Sequence, residues 1–144
     1  MTVKNSFALW NNKGGVGKST ITFHLAARYA ERFSDEKVLV LDMCPQANSS
    51  MMLLGGGNSG ESKVLNLSQR TPSPKTVVGY IAEVITGGQG ASLPNITDFW
   101  SDVHSENGDI PQNLKLISGD GNLEPMAPLI SEQAAQAPLK PKSD

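Results

Sequence analysis

Only one cysteine, Cys44, occurs in the chain, so no intramolecular disulfide can form and no multi-cysteine metal cage can be assembled. Such sparing use suits a reducing compartment, and the expected location is cytoplasmic. An excess of charge of one sign is also missing, since 12 Lys and Arg stand against 14 Asp and Glu for a formal net charge of −2. That balance leaves no global basic footprint of the kind that non-specific nucleic-acid binding depends on. Long apolar runs are lacking too: after Met1–Ser6 only four apolar residues, Phe7 to Trp10, stand in a row, too few for a signal peptide or a membrane span. Aromatic residues are 6% and charged residues 18% of the chain, yet 38% is hydrophobic, which lies outside the composition of a wholly disordered chain. With 144 residues the expectation is one domain with its own core, not two.

The run Phe7-Ala-Leu-Trp10 has strand length and is closed by Asn11-Asn12-Lys13-Gly14-Gly15, whose glycines supply freedom for a tight turn. It predicts a buried first strand. Ile21, Leu25, Tyr29 and Phe33 recur every fourth residue beside Ala26 and Ala30, which predicts a helix over 19–33 with one apolar face on a sheet. Val38-Leu-Val-Leu41, closed by Asp42 and Pro45, has the pattern of a strand buried on both faces of a parallel sheet. Strand, loop, helix and strand together predict a right-handed βαβ unit. From Gly55 to Pro74, three consecutive glycines, several Ser and Asn, and two prolines predict a long surface loop or switch segment, at about 55–75. Val77, Val78, Ile81, Val84 and Ile85 return to helical spacing and stop at Gly87-Gly88, and a shorter helix is expected over 96–103 with Phe99 and Trp100 on it. Leu114-Lys-Leu-Ile117 is the third candidate strand, before the turn-rich Ser118–Asn122. Residues 135–144 hold little to bury and are expected to form a disordered tail.

The chemistry-bearing signal lies between the first two predicted elements. The phosphate-loop pattern G-x-x-x-x-G-K-S/T, set between a strand and a helix, fits Asn12 to Ser19 everywhere except its first glycine, here Asn12. Gly14, Gly15 and Gly17 let the backbone curl so that successive N–H groups, that of Val16 among them, point inward at phosphate oxygens, and the helix adds its positive end. Lys18 supplies a mobile charge to the β- and γ-phosphates, Ser19 offers a hydroxyl to Mg²⁺, and Thr20 reaches the α-phosphate. A turn that merely joined strand to helix would need neither three glycines nor a Lys-Ser pair at a fixed offset. The expected ligands are therefore ATP and Mg²⁺, and the expected class is an α/β P-loop NTPase with a partial doubly wound parallel sheet of about three strands, occupying 1–134.

Lys13 is a second lysine on the same loop. The run Lys13-Gly-Gly-Val-Gly-Lys-Ser-Thr20 resembles the deviant Walker A motif of the ParA/MinD family of ATPases. Leu41-Asp-Met-Cys-Pro-Gln-Ala-Asn48 resembles that family's strand-ending segment, in which D-x-D-P-Q-G-N is typical of the ParA branch. The resemblance covers about residues 3–56, and 114–123 more faintly. It implies that Lys13 reaches across a nucleotide-bound homodimer to the partner's phosphates, a catalytic role shared with Lys18 and Asp42. Asp42 matches the first family aspartate and would hold a Mg²⁺-bound water, the plainer reading being a strand-end cap.

At the second family aspartate, which the resemblance implies positions the attacking water, this chain has Cys44. A thiol with a pKa of about 8.5 is a poor substitute for a carboxylate. Neither His24 nor His104 forms a recognisable dyad with Cys44, and Met51-Met-Leu-Leu54 reads as core in preference to an interface patch. The resemblance implies an ATP-dependent dimerisation switch for plasmid or chromosome partition or cargo positioning, hydrolysing ATP to ADP and phosphate, with DNA and a partner protein as further partners. The alternative is a nucleotide-binding regulator that hydrolyses slowly or not at all, or a truncated product lacking activity. A reductase of the same superfamily would need cluster-binding cysteines that this chain lacks. No second strand of Walker B type is recognisable, so the expectation is an N-terminal fragment or truncated product.

Overall fold

A computed structural model describes residues 2–88 and 90–136. The first helix, α1, spans Lys18–Arg32 and ends where Phe33 N donates to Tyr29 O at 3.0 Å. Its buried stripe is Phe23, Ala26, Ala27 and Ala30, while Ile21 and Leu25 are 50% and 51% exposed. The four-residue spacing drifts around a 3.6-residue helix, and the alanines are what let the helix approach the sheet closely. Asn113 anchors the far end of α1, donating from Nδ2 to Ala30 O, Phe33 O and Glu36 O at 3.0, 3.0 and 2.8 Å. Nearby, the Tyr29 hydroxyl donates to Glu36 Oε2 at 3.1 Å, and this bond to a carboxylate holds the phenol proton above its ordinary range.

Strand β1 (Val38–Leu41) forms where expected and pairs in parallel with β3 (Leu114–Ile117), Val38 opposite Leu114 and Leu41 opposite Ile117, but as an edge strand with Val40 buried and Leu41 52% exposed it is not buried on both faces. The crossover carries four helices: α2 (Asn48–Leu53), α3 (Gly57–Ser68), α4 (Val77–Gly87) and the short α5 (Val103–Glu106). A two-residue strand, β2 (Ser101–Asp102), pairs antiparallel with β3, so the sheet order is β1-β3-β2. The last helix, α6, spans Leu123–Gln136. Alternation along the strands divides the core into two layers. Val40, Leu114 and Leu116 pack with Ala30, Leu53, Leu54, Val103 and Ile110; Ile117 and Leu39 face Val77, Val78, Phe99 and Leu123. Each fully buried leucine here contributes about 1.5–3 kcal/mol over leaving it in water. The α/β class stands, with a mixed sheet in place of an all-parallel one.

Four local expectations change. Phe7–Trp10 forms no strand: Phe7 is 79% and Trp10 84% exposed. An apolar run becomes a strand only when a ladder accepts it, and among the described residues the sheet is built from β1, β3 and β2 alone, with the outer edge of β1 left unpaired. The βαβ unit predicted from 7–41 is therefore not formed. The long loop predicted at 55–75 is largely α3, which packs on α2 and lays Val64 and Leu67 against the core. Its buried Gly60 sits against the Met51 carbonyl, where a Cβ would collide, so that glycine serves helix contact instead of loop freedom. In place of one helix over 96–103 come a 3₁₀ turn (Ile96–Asp98), β2 and α5, because Phe99 is drawn into the core and Asp102 meets Lys115 across the ladder at 3.1 Å. Of the predicted tail, Ala135 and Gln136 end α6, and residues 137–144 lie outside the described residues.

Candidate phosphate-binding site

The loop from Asn11 to Gly17 is exposed along its whole length. Lys13 N donates to Asn11 Oδ1 at 2.8 Å, a side-chain turn that starts the curl. Gly15 and Gly17 lie in the left-handed region, at φ +72° and +83°, where a side chain is disfavoured. A Cβ on Gly14, Gly15 or Gly17 would meet nothing within 4 Å, so no side chain plugs the loop there. Gly17 caps α1 without any side-chain hydrogen bond. The first N–H groups of that helix therefore have no side-chain acceptor at the cap, which leaves a donor-rich positive end for an anion.

Lys18 folds back over the loop and donates from Nζ to Lys13 O at 3.0 Å. Ser19 is half-buried in the first turn, and Thr20, Val16 and Lys13 are exposed. The anchoring of the far end of α1 beside the start of β3, together with the packing of α1 on α2, points the first turn of α1 toward the end of the sheet where β1 and β3 finish, while among the described residues no hydrogen bond joins the loop to that end.

At that end lie two buried carboxylates. Asp42 follows β1 and keeps the ladder going, its N donating to Ile117 O at 3.1 Å. Asp42 Oδ2 accepts from Ser50 N at 2.9 Å and Ser50 Oγ at 2.7 Å, and Oδ1 accepts from Cys44 N at 3.2 Å. The strand-end cap is thus present in full, with lone-pair capacity left on Oδ1. Half-buried Cys44 occupies a turn that closes with Ala47 at φ +51°, uncommon for alanine.

The second carboxylate, Asp120, was not anticipated. Its Oδ2 accepts from Thr76 Oγ1 at 2.9 Å, and its Oδ1 from Asn122 N and Nδ2 at 2.9 and 3.1 Å. Its one sequence signal was its place in the turn after a strand. Asp120 borders a cleft of about 260 Å³ shared with Pro45, Gln46, Met51 and Glu61. A larger cleft, about 770 Å³, lies at the opposite end of the sheet and includes no phosphate-loop residue.

Histidine takes no part in the site: His24 stacks edge-on with Phe23 at 5.1 Å, and His104 Nδ1 pairs with Ile110 O at 2.6 Å. Leu53 and Leu54 are core, while Met51 and Met52 are half-buried. Among the described residues no group of three or more His, Cys, Asp or Glu could hold a metal by itself. The Ser19 hydroxyl and Asp42 Oδ1 are nevertheless hard oxygen donors that suit Mg²⁺, an ion that takes few protein ligands when phosphate and water complete its shell. No helix among the described residues is long and apolar enough to cross a membrane.

A family model described as an AAA domain matches residues 4–131. Two curated relatives from Pseudomonas putida are similar over a short stretch. One, from strain KT2440, is described as an uncharacterized protein, the other as an uncharacterized protein in the gidB 3′ region, and each is 47% identical over 45 residues. That stretch is 31% of this chain and 16% of each relative, so the chain matches only a small share of their length. No solved structure matches.

Proposed function

Because the chain belongs to the AAA domain family, a ParA/MinD-like group of P-loop ATPases, we propose that it is the ATP-binding module of a ParA-like, nucleotide-dependent dimerisation switch used in DNA partition or cargo positioning. The observation that carries the reading is the uncapped start of α1 behind an open glycine loop, with the Lys18 ammonium already over that loop. Triphosphate oxygens replace the Lys13 carbonyl as acceptors for Lys18, and the amides of Gly14 to Thr20 take the remaining phosphate oxygens. Ser19 and, through water, Asp42 hold Mg²⁺, which when bound neutralises charge on the β- and γ-phosphates. Lys13, on the exposed outer part of the loop, is the cation offered to a second copy's nucleotide, where a charge supplied in trans stabilises phosphoryl transfer.

Titration of the chain with ATP and Mg²⁺ tests this. Lys18→Ala removes a charge-assisted bond worth about 1.5–3 kcal/mol, so affinity should fall on the order of tenfold to a hundredfold. Unchanged affinity would end the nucleotide reading. One observation favours a second reading, a regulator with little turnover: Cys44 stands where the resembled segment has its second aspartate. Cys44→Asp raises phosphate release sharply if that carboxylate is all that is missing, whereas a fully active parent removes the second reading.

A further inference from the structure

Ser50 lies completely buried in α2, eight residues after Asp42, and no local sequence pattern marks it. Its hydroxyl has a single proton, and the surroundings decide where that proton goes. Gly119 N donates to Ser50 Oγ at 3.0 Å, which occupies a lone pair and turns the O–H toward Asp42 Oδ2, 2.7 Å away. The Ser50 amide donates to the same oxygen at 2.9 Å. Asp42 Oδ2 thus has two short donors, while among the described residues Oδ1 has only Cys44 N at 3.2 Å. The arrangement is closed from the other side by Gly119, where a Cβ would stand 2.5 Å from Cys44 O and 3.0 Å from Ala47. Only glycine lets the turn after β1 settle on the end of β3 and brings the amide within reach of Ser50.

Resting on the nucleotide reading above, we propose that Ser50 is the positioning residue for Asp42: it ties up Oδ2, fixes the carboxylate in one orientation, and leaves Oδ1 as the oxygen that holds a Mg²⁺-bound water. Ser50 itself touches neither nucleotide nor metal. It also links the two strand ends through the Gly119–Ser50–Asp42 chain of hydrogen bonds.

The test compares the parent chain with Ser50→Ala, Ser50→Cys and Ser50→Thr, measuring ATP affinity in Mg²⁺ and in chelator, with Gly119 amide exchange as a readout independent of nucleotide. Loss of an outer partner of a metal-holding group lowers metal affinity about tenfold to a hundredfold. In Ser50→Ala the gain in ATP affinity on adding Mg²⁺ should shrink by that factor, with the Mg²⁺-free affinity within about twofold of the parent. Ser50→Thr keeps the hydroxyl and should restore the gain, and Gly119 exchange should quicken in the Ala and Cys variants alone. If Ser50→Ala does not fold, Ser50→Cys, which fills the volume with a weak donor, carries the same expectation. A Mg²⁺-dependent gain equal to the parent's in the Ala or Cys variant overturns the proposal. So does an equal loss with and without Mg²⁺, which makes Ser50 structural only. A parent chain that binds no ATP overturns the nucleotide reading itself, an outcome distinct from either.

Discussion

Gly119 shows how much one missing side chain decides. Its place at the end of β3 is bounded by Cys44 O and by the Cα and Cβ of Ala47, all within 3.0 Å of where a Cβ would sit. Gly119→Ala must push the turn after β1 outward, and overpacking of this kind typically costs about 1–3 kcal/mol. Urea denaturation is expected to show that loss; an unchanged midpoint would mean that the turn yields freely. Asn113 matters for the opposite reason, since the two protons of one amide are shared among three carbonyls at and just past the end of α1. Asn113→Ala strands acceptors in a half-buried place and should lower stability by roughly 1–3 kcal/mol, with the fraying localised to residues 30–36 by amide exchange. Lys18 and Asp42 were legible as residues because each belongs to a short pattern. Ser50 and Asp120 were not, because one partner of each, Gly119 and Thr76, stands 69 and 44 positions away.

At the scale of elements, local signals succeeded where local forces suffice. Helix α4 is capped by Thr76, whose hydroxyl accepts from Gly79 N at 3.4 Å and donates to Asp120 Oδ2 at 2.9 Å. Thr76 therefore caps a helix and satisfies a buried carboxylate at once. Thr76→Val keeps the shape and removes both, and the expected cost is about 1–3 kcal/mol, read as a lower denaturation midpoint with exchange quickened at the start of α4. Helix α3 escaped notice because its Gly and Ser residues suggest a loop. What makes it a helix is contact: Gly60 allows close approach to α2, and Lys63 ties α3 to the Leu54 and Glu106 carbonyls at 3.1 and 2.7 Å.

For the molecule as a whole, the arm before the phosphate loop is the part that packs least. Trp10 is 84% exposed, whereas Trp100 is half-buried against the second core layer, with Lys37 5.8 Å from its ring centre. In a Trp100→Phe chain the remaining fluorescence should be water-like and fully open to acrylamide. Trp10→Ala should change stability by no more than about 0.5 kcal/mol. A blue-shifted, protected Trp10 would mean that the arm is packed against the sheet. The outer edge of β1, unpaired among the described residues, is a flank of the sheet that such packing could use.

By itself the sequence determined what depends on neighbours in the chain: the glycine loop running into α1, strands β1 and β3 from their apolar runs, and α4 from its spacing. Backbone freedom, periodicity and side-chain chemistry are local properties, and a single chain of letters carries them. Tertiary structure alone decided whether Phe7–Trp10 finds a ladder, whether Gly57–Ser68 coils, and which buried donors aim the carboxylates of Asp42 and Asp120. Each of those depends on atoms outside the local stretch, and β3 takes β1 on one side and β2 on the other.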